Sequence, residues 1–237
     1  MNRRTLKAIV LSSFVLVVVL TAAWQARAQN AKEPYPSMAP LDQYLMERNA
    51  EIGLARSAAP QSISQDAEIM VLGQHGYETA VHGKNRFVCL VERSWMLPYD
   101  DREFWDPKVR LPLCLNPPAA RSHLPLTLNQ AELAFSGLSK TQMSDSTKTA
   151  FDKNELPVPE TGSMCYLMSK QQNFGPKYGN ADPHLMFWFP QKGRMNWGAD
   201  FPGSPVDIHQ YYPQPITEFD ISVSKWSDGT AAARDEQ

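Results

Sequence analysis

Five prolines, Pro98, Pro107, Pro112, Pro117 and Pro118, fall between residues 94 and 118 and restrict what any fold can do there. A proline withholds a backbone N–H and clashes with the preceding helical turn, so the stretch is expected to be irregular from end to end. A loop of that length inside a compact domain is usually functional or stapled. Cys114 lies within it and offers the staple.

The other cysteines are Cys89 and Cys165, which leaves three pairings open. Cys89 with Cys114 is the favoured disulfide, because it tethers the proline-rich stretch to the sheet through a loop of moderate length. Cys165 is then the odd thiol, read as a small buried hydrophobe. A disulfide needs an oxidising compartment, and the N-terminus predicts one. Arg3, Arg4 and Lys7 precede an almost continuous apolar run from Ala8 to Ala23, and Ala26-Arg27-Ala28 has the small-x-small form of a cleavage site. Residues 1–28 read as a secretory signal peptide cut after Ala28, giving a periplasmic or secreted product. The apolar run is shorter than the roughly 20 residues that span a bilayer comfortably, so no membrane association is expected after cleavage.

Past the leader, 19 Lys and Arg stand against 25 Asp and Glu, a net charge of −6, and no segment concentrates the basic residues. Phosphate backbones require such clusters, so nucleic acid is not an expected partner. The 43% hydrophobic and 20% charged composition excludes collagen-like, low-complexity and wholly disordered classes.

Residues 29–40, with three prolines, read as an extended linker. Leu41, Tyr44, Leu45, Ile52 and Ala55 recur at helical spacing before Pro60. Runs at 68–72, 77–81 and 87–91 are rich in Val, Ile and aromatics and separated by Gly- and Asn-containing turns, which predicts a three-strand antiparallel meander. The third run is apolar on both faces and therefore central. A helix is expected over about 119–135, split or delayed by Pro125, and a clearer one after the capping box Ser139-Lys140-Thr141-Gln142. Further strands fall at 163–169, 184–189 and 217–224. The expected fold class is α+β: an antiparallel sheet of five to six strands with two to three packed helices, in a single domain over 41–226, followed by a disordered tail over 227–237.

Gly76-Tyr77-Glu78-Thr79-Ala80-Val81, the run from Lys84 to Arg93, Pro183-His184-Leu185-Met186-Phe187 and the run from Trp197 to Pro205 carry a resemblance. Over roughly residues 68–205 the chain resembles a family of exported bacterial proteins of unknown function. The resemblance implies one exported domain and assigns no activity, fold or site. The family more often carries a small residue where Arg86 stands, which makes the turn here less permissive.

No segment rises to a specific catalytic signature. Gly-x-Ser-x-Gly, GxGxxG, GxxxxGK[ST] and CxxC are all missing. The aromatic residues Trp95, Tyr99 and Trp105 in the proline-rich loop are ligand-binding candidates, since large rigid rings stack on sugars or anchor a partner. The acidic loop from Asp100 to Asp106, with His75, His123 or His184, is the candidate for an envelope hydrolase, which needs converging carboxylates and a base. Cys165 and His184, with Met164, Met168 and Met186 nearby, are weak candidates for handling copper. Strand parity counts against them, because Cys165 points away from Met164 and Met168. The reading that best fits is an exported, non-catalytic binding or structural module of the cell envelope. Its partner would be a small molecule, a glycan or an envelope protein, with no cofactor and no catalytic residue named.

Overall fold

The two-sided apolar run near residue 90 forms β3 (Val88–Glu92), every residue of which is buried. Beside it lies β4 (Leu111–Leu115), equally buried and antiparallel to it. The computed structural model describes residues 34–191, 196–199 and 201–232, so the leader read over 1–28 and the end of the tail lie outside the described residues. From Tyr35 onward the chain forms one compact unit.

The strands are β1 (Glu68–Gly73), β2 (Gly76–Val81), β3, β4, β5 (Met164–Leu167), β6 (His184–Pro190), β7 (Val206–Gln210) and β8 (Ile216–Ser222). They form one sheet in the order β2-β1-β3-β4-β5-β6-β8-β7. Among the described residues five α-helices accompany it: α1 (Arg48–Arg56), α2 (Gln61–Ser64), α3 (Pro117–Ser122), α4 (Leu124–Phe135) and α5 (Lys140–Asp152). The class is α+β, but the sheet has eight strands and is mixed rather than five to six antiparallel ones. Helix α1 covers β1, β3 and β4 on one face, while α3 and α4 lie against the other with α5 beyond them.

The expected meander is corrected at its third strand. β1 and β2 make the hairpin, but β3 pairs with β1, and in parallel. After β2 the chain crosses the start of β1: Lys84 N–H bonds to Asp66 O at 2.7 Å and Glu68 N–H to Phe87 O at 2.9 Å. Gly83 makes this crossing, and a Cβ there would lie 2.2 Å from Glu68 N. The half-polar β2 stays at the edge and the apolar β3 takes the centre. Arg86 completes the turn with φ of 65°, a left-handed conformation that glycine, lacking a Cβ, adopts more cheaply.

A second correction concerns Pro112, which sits inside β4 rather than breaking it. Arg110 exchanges both backbone bonds with Asn173, so the N of Pro112, two residues on, faces that same side. There β5 pairs only with Cys114 and Leu115, and the missing N–H is not required. β7 also escaped the sequence reading, because a short edge strand carrying Asp207 and His209 has little apolar pattern.

Cys89 and Cys114 face each other across β3 and β4 and are disulfide-bonded, with Cα atoms 3.9 Å apart. Cys165 is buried and free. The Ser139 capping box is present, and Pro125 starts α4 after a break at His123. The linker reading is shortened, since Tyr35, Met38 and Ala39 pack against the core. The tail reading is shortened too: Lys225 bridges Ala231, and Ser227 N–H bonds to Met168 O at 3.0 Å.

Replacing both Cys89 and Cys114 with Ala is expected to lower unfolding free energy by about 3 kcal/mol, the loop-closure value for this separation, read from urea melts. Gly83→Ala forces two backbones apart and is expected to cost about 1 to 3 kcal/mol in the same assay.

Candidate functional site

Alternation along β3 sends two neighbouring charges to opposite faces. Cys89, Val91 and Arg93 face α1, while Val88, Leu90 and Glu92 face α3 and α4. Arg93 is fully buried and donates to Glu51 Oε1 on α1 at 2.8 Å, to Tyr44 O at 2.9 Å and to Val91 O. Glu51 Oε1 also accepts from Leu72 N–H at 3.0 Å. Glu92, on the far side, receives no such cation.

Glu92 is 4% exposed, and its Oε1 accepts from the Thr127 hydroxyl of α4 at 2.6 Å. Burial pushes its carboxyl up to about 7, against the pull of that hydrogen bond. His123 Nε2, at the break between α3 and α4, lies 3.9 Å from the same oxygen. Burial lowers the imidazole to about 3, so the ring is neutral, and its Nδ1 has no hydrogen-bond partner among the described residues.

The His123 ring stacks on Trp188 of β6, with centroids 3.8 Å apart and planes 11° from parallel. Trp188 pairs in register with Glu218 of β8 and donates Nε1–H to its Oε2 at 2.6 Å, while Tyr211 OH donates to Oε1 at 3.1 Å. Glu218 is 5% exposed, and burial followed by the neighbouring Asp220 carboxylate raises it to about 8. Asp220 in turn lies 3.3 Å from His209 Nε2 and raises that imidazole.

Glu92, His123, Trp188, Tyr211 and Glu218 line one cavity of about 80 Å³, completed by Phe174, Gln214 and aliphatic residues. None of its lining residues is Lys or Arg. A larger open hollow of about 820 Å³ lies between Met38, Tyr77 and Phe135, but its titratable neighbours besides Tyr77 are only His75 and Glu132. The chemistry is concentrated in the small cavity.

The residues named from sequence are placed differently. Trp95 and Trp105 are 0% and 1% exposed, packed with Tyr44, Phe104 and Met143, so they are core rings rather than walls of a cleft. Tyr99 OH is engaged with Thr147 and Gln130. Long proline-rich loops cannot bury themselves with backbone alone, and these aromatics supply the apolar surface. Of the acidic loop, Asp101 accepts from Tyr178 OH at 2.9 Å and Asp106 from Lys108 N–H at 2.8 Å. The carboxylate beside His123 is instead Glu92.

Cys165 and His184 share the cavity face of the sheet, but Cys165 lies opposite Met186 while His184 lies opposite Leu167. Burial, reinforced by Glu92 and Glu218, pushes the Cys165 thiol well up, so it stays protonated. His184 Nδ1 is 2.7 Å from Asp182 O. Among the described residues no group of three or more His, Cys, Asp or Glu is arranged to hold a metal ion.

Sequence reasoning missed Glu92 and Glu218. Parity marks Glu92, whose neighbours Leu90 and Ser94 are buried, but not Glu218, which alternates with Asp220 and Ser222 opposite the apolar Phe219 and Ile221. No protein-family model, curated protein or solved structure matches this chain.

The pH dependence of stability follows from the shifts. The folded protein holds protons on Glu92 and Glu218 up to about 7 and about 8, above the unfolded carboxyl range, so their contribution is complete below about pH 4.5. It is lost as pH rises towards 8. His123 acts oppositely, destabilising the fold as pH falls from about 6.5 towards 3. Thermal melts are expected to show stability declining between about pH 4.5 and about pH 8 and levelling above that, with Glu218→Gln removing much of the decline.

Proposed function

We propose that this protein is an exported, non-catalytic binding module of the bacterial cell envelope, and that its ligand enters the cavity between Glu92 and Glu218. One observation carries the reading: a single cavity presents two buried carboxyls and an imidazole nitrogen that, among the described residues, have no cation and no partner respectively. Burying such groups costs free energy that a core of apolar residues would avoid. Their presence in a cavity with aromatic walls matches the makeup of small-molecule sites. The disulfide suits an oxidising compartment, and among the described residues no helix is long and apolar enough to cross a membrane.

Hydrolysis is the runner-up, favoured by the approach of His123 to Glu92. It is the weaker reading, because an imidazole whose pKa lies at about 3 is a poor base at neutral pH.

Native mass spectrometry of the protein recovered from the envelope fraction tests both halves. The expected spectrum shows a chain beginning at Gln29, two hydrogens light, with a retained non-covalent adduct that Trp188→Ala no longer holds. A bare mass would overturn the ligand reading, and a chain retaining its leader would overturn the processing.

A further inference from the structure

We propose that the cavity is a seat for a slim organic cation, an aliphatic primary amine or diamine. The inference rests on the ligand reading above and names the class of that ligand.

The polar atoms on offer decide the class. Glu218 accepts from Trp188 and Tyr211, and Glu92 accepts from Thr127, so those three donors are already engaged. The carboxyl oxygens retain further lone pairs. His123, 6% exposed and lining the same cavity, has its Nε2 3.9 Å from Glu92 Oε1 and its Nδ1 without a hydrogen-bond partner among the described residues. Carboxyl oxygens with spare lone pairs fit a ligand made of donors, and an ammonium group is three donors with no acceptor.

Charge points the same way. Two carboxyls line the cavity and no Lys or Arg does. Around Glu92 the titratable neighbours are neutral His123, the Cys165 thiol and the Tyr77 hydroxyl. Around Glu218 they are Tyr211, Asp220, Cys165 and His209, and the imidazole of His209 is already paired with Asp220. A cation in the cavity meets the two carboxyls and the aromatic side chains of Trp188, Tyr211 and Phe174, a class of ring that attracts positive charge. The volume of about 80 Å³ favours a linear chain over a bulky quaternary head.

Binding is coupled to protons. Each carboxyl that ionises as the ammonium arrives gives its proton to solvent, so affinity rises with pH through the range where the free carboxyls titrate.

The test is titration calorimetry of the purified protein with butane-1,4-diamine, using butane-1,4-diol as the neutral isostere. The diamine is expected to bind about tenfold or more tightly at about pH 8.5 than at about pH 6, with proton release revealed by buffers of different ionisation enthalpy. The diol is expected to give no heat. Glu92→Gln and Glu218→Gln are each expected to weaken diamine binding about tenfold or more and to reduce the proton release. Equal binding of diol and diamine, pH-independent affinity, or no diamine binding would overturn the proposal. If either variant fails to fold, the pH series and the diol comparison on the native protein still decide. A retained neutral or anionic adduct in native mass spectra, with no diamine binding, would sink this inference and leave the ligand reading standing. No adduct and no diamine binding would end both.

Discussion

The buried ion pair between Arg93 and Glu51 is the constraint on which the rest of the structure leans. Arg93 leaves the end of β3 on the α1 side and ties the carboxylate of α1, the carbonyl of Tyr44 and the carbonyl of Val91 into one network. Glu51 passes the connection on to β1 through Leu72 N–H. Arg110 reinforces it from the other side of the proline-rich loop, donating to Tyr44 O at 3.2 Å. Tyr44 OH reaches Trp105 O at 2.7 Å and so anchors that loop as well. Such a pair adds little net stability over apolar packing, but leaving either partner alone in the core is costly. Its value is that it fixes α1, β1, β3 and the loop in one mutual arrangement.

The same arrangement explains the cavity. A strand has a period of two, so Arg93 and Glu92 cannot serve the same face. Once Arg93 is committed to Glu51, Glu92 is buried against α4 with a hydroxyl and a neutral imidazole for company. At the other wall, Glu218 is fixed by Trp188 and Tyr211 and lies beside a second acid, Asp220. The stacked rings of His123 and Trp188 connect the two walls. The acids are far apart in sequence and come from different hairpins, yet one face of one sheet presents both.

Much of the framework was legible locally. The Ser139 capping box, the role of Pro125 at the start of α4, the two-sided burial of β3 and the Cys89–Cys114 bridge all rest on short-range chemistry or on an apolar pattern. What failed was non-local. Pro112 was read as a breaker because its harmlessness depends on where β5 stops, more than fifty residues later in the chain. β3 was placed beside β2 because sequence order suggests a meander, whereas the Gly83 crossing carries it to β1. Trp95 and Trp105 were read as exposed anchors because nothing in a loop sequence says which rings the loop folds over.

The sequence by itself therefore determined most of the element types, the central strand and the class, because turn chemistry, capping and apolar periodicity act over a few residues, and it favoured one disulfide among three pairings. Only the tertiary structure decided strand order and the cavity. Glu92, His123 and Glu218 acquire their altered proton affinities from the side chains that exclude water around them, and those belong to elements distant in sequence. Desolvation is a property of an assembled interior, and no local stretch of residues contains it.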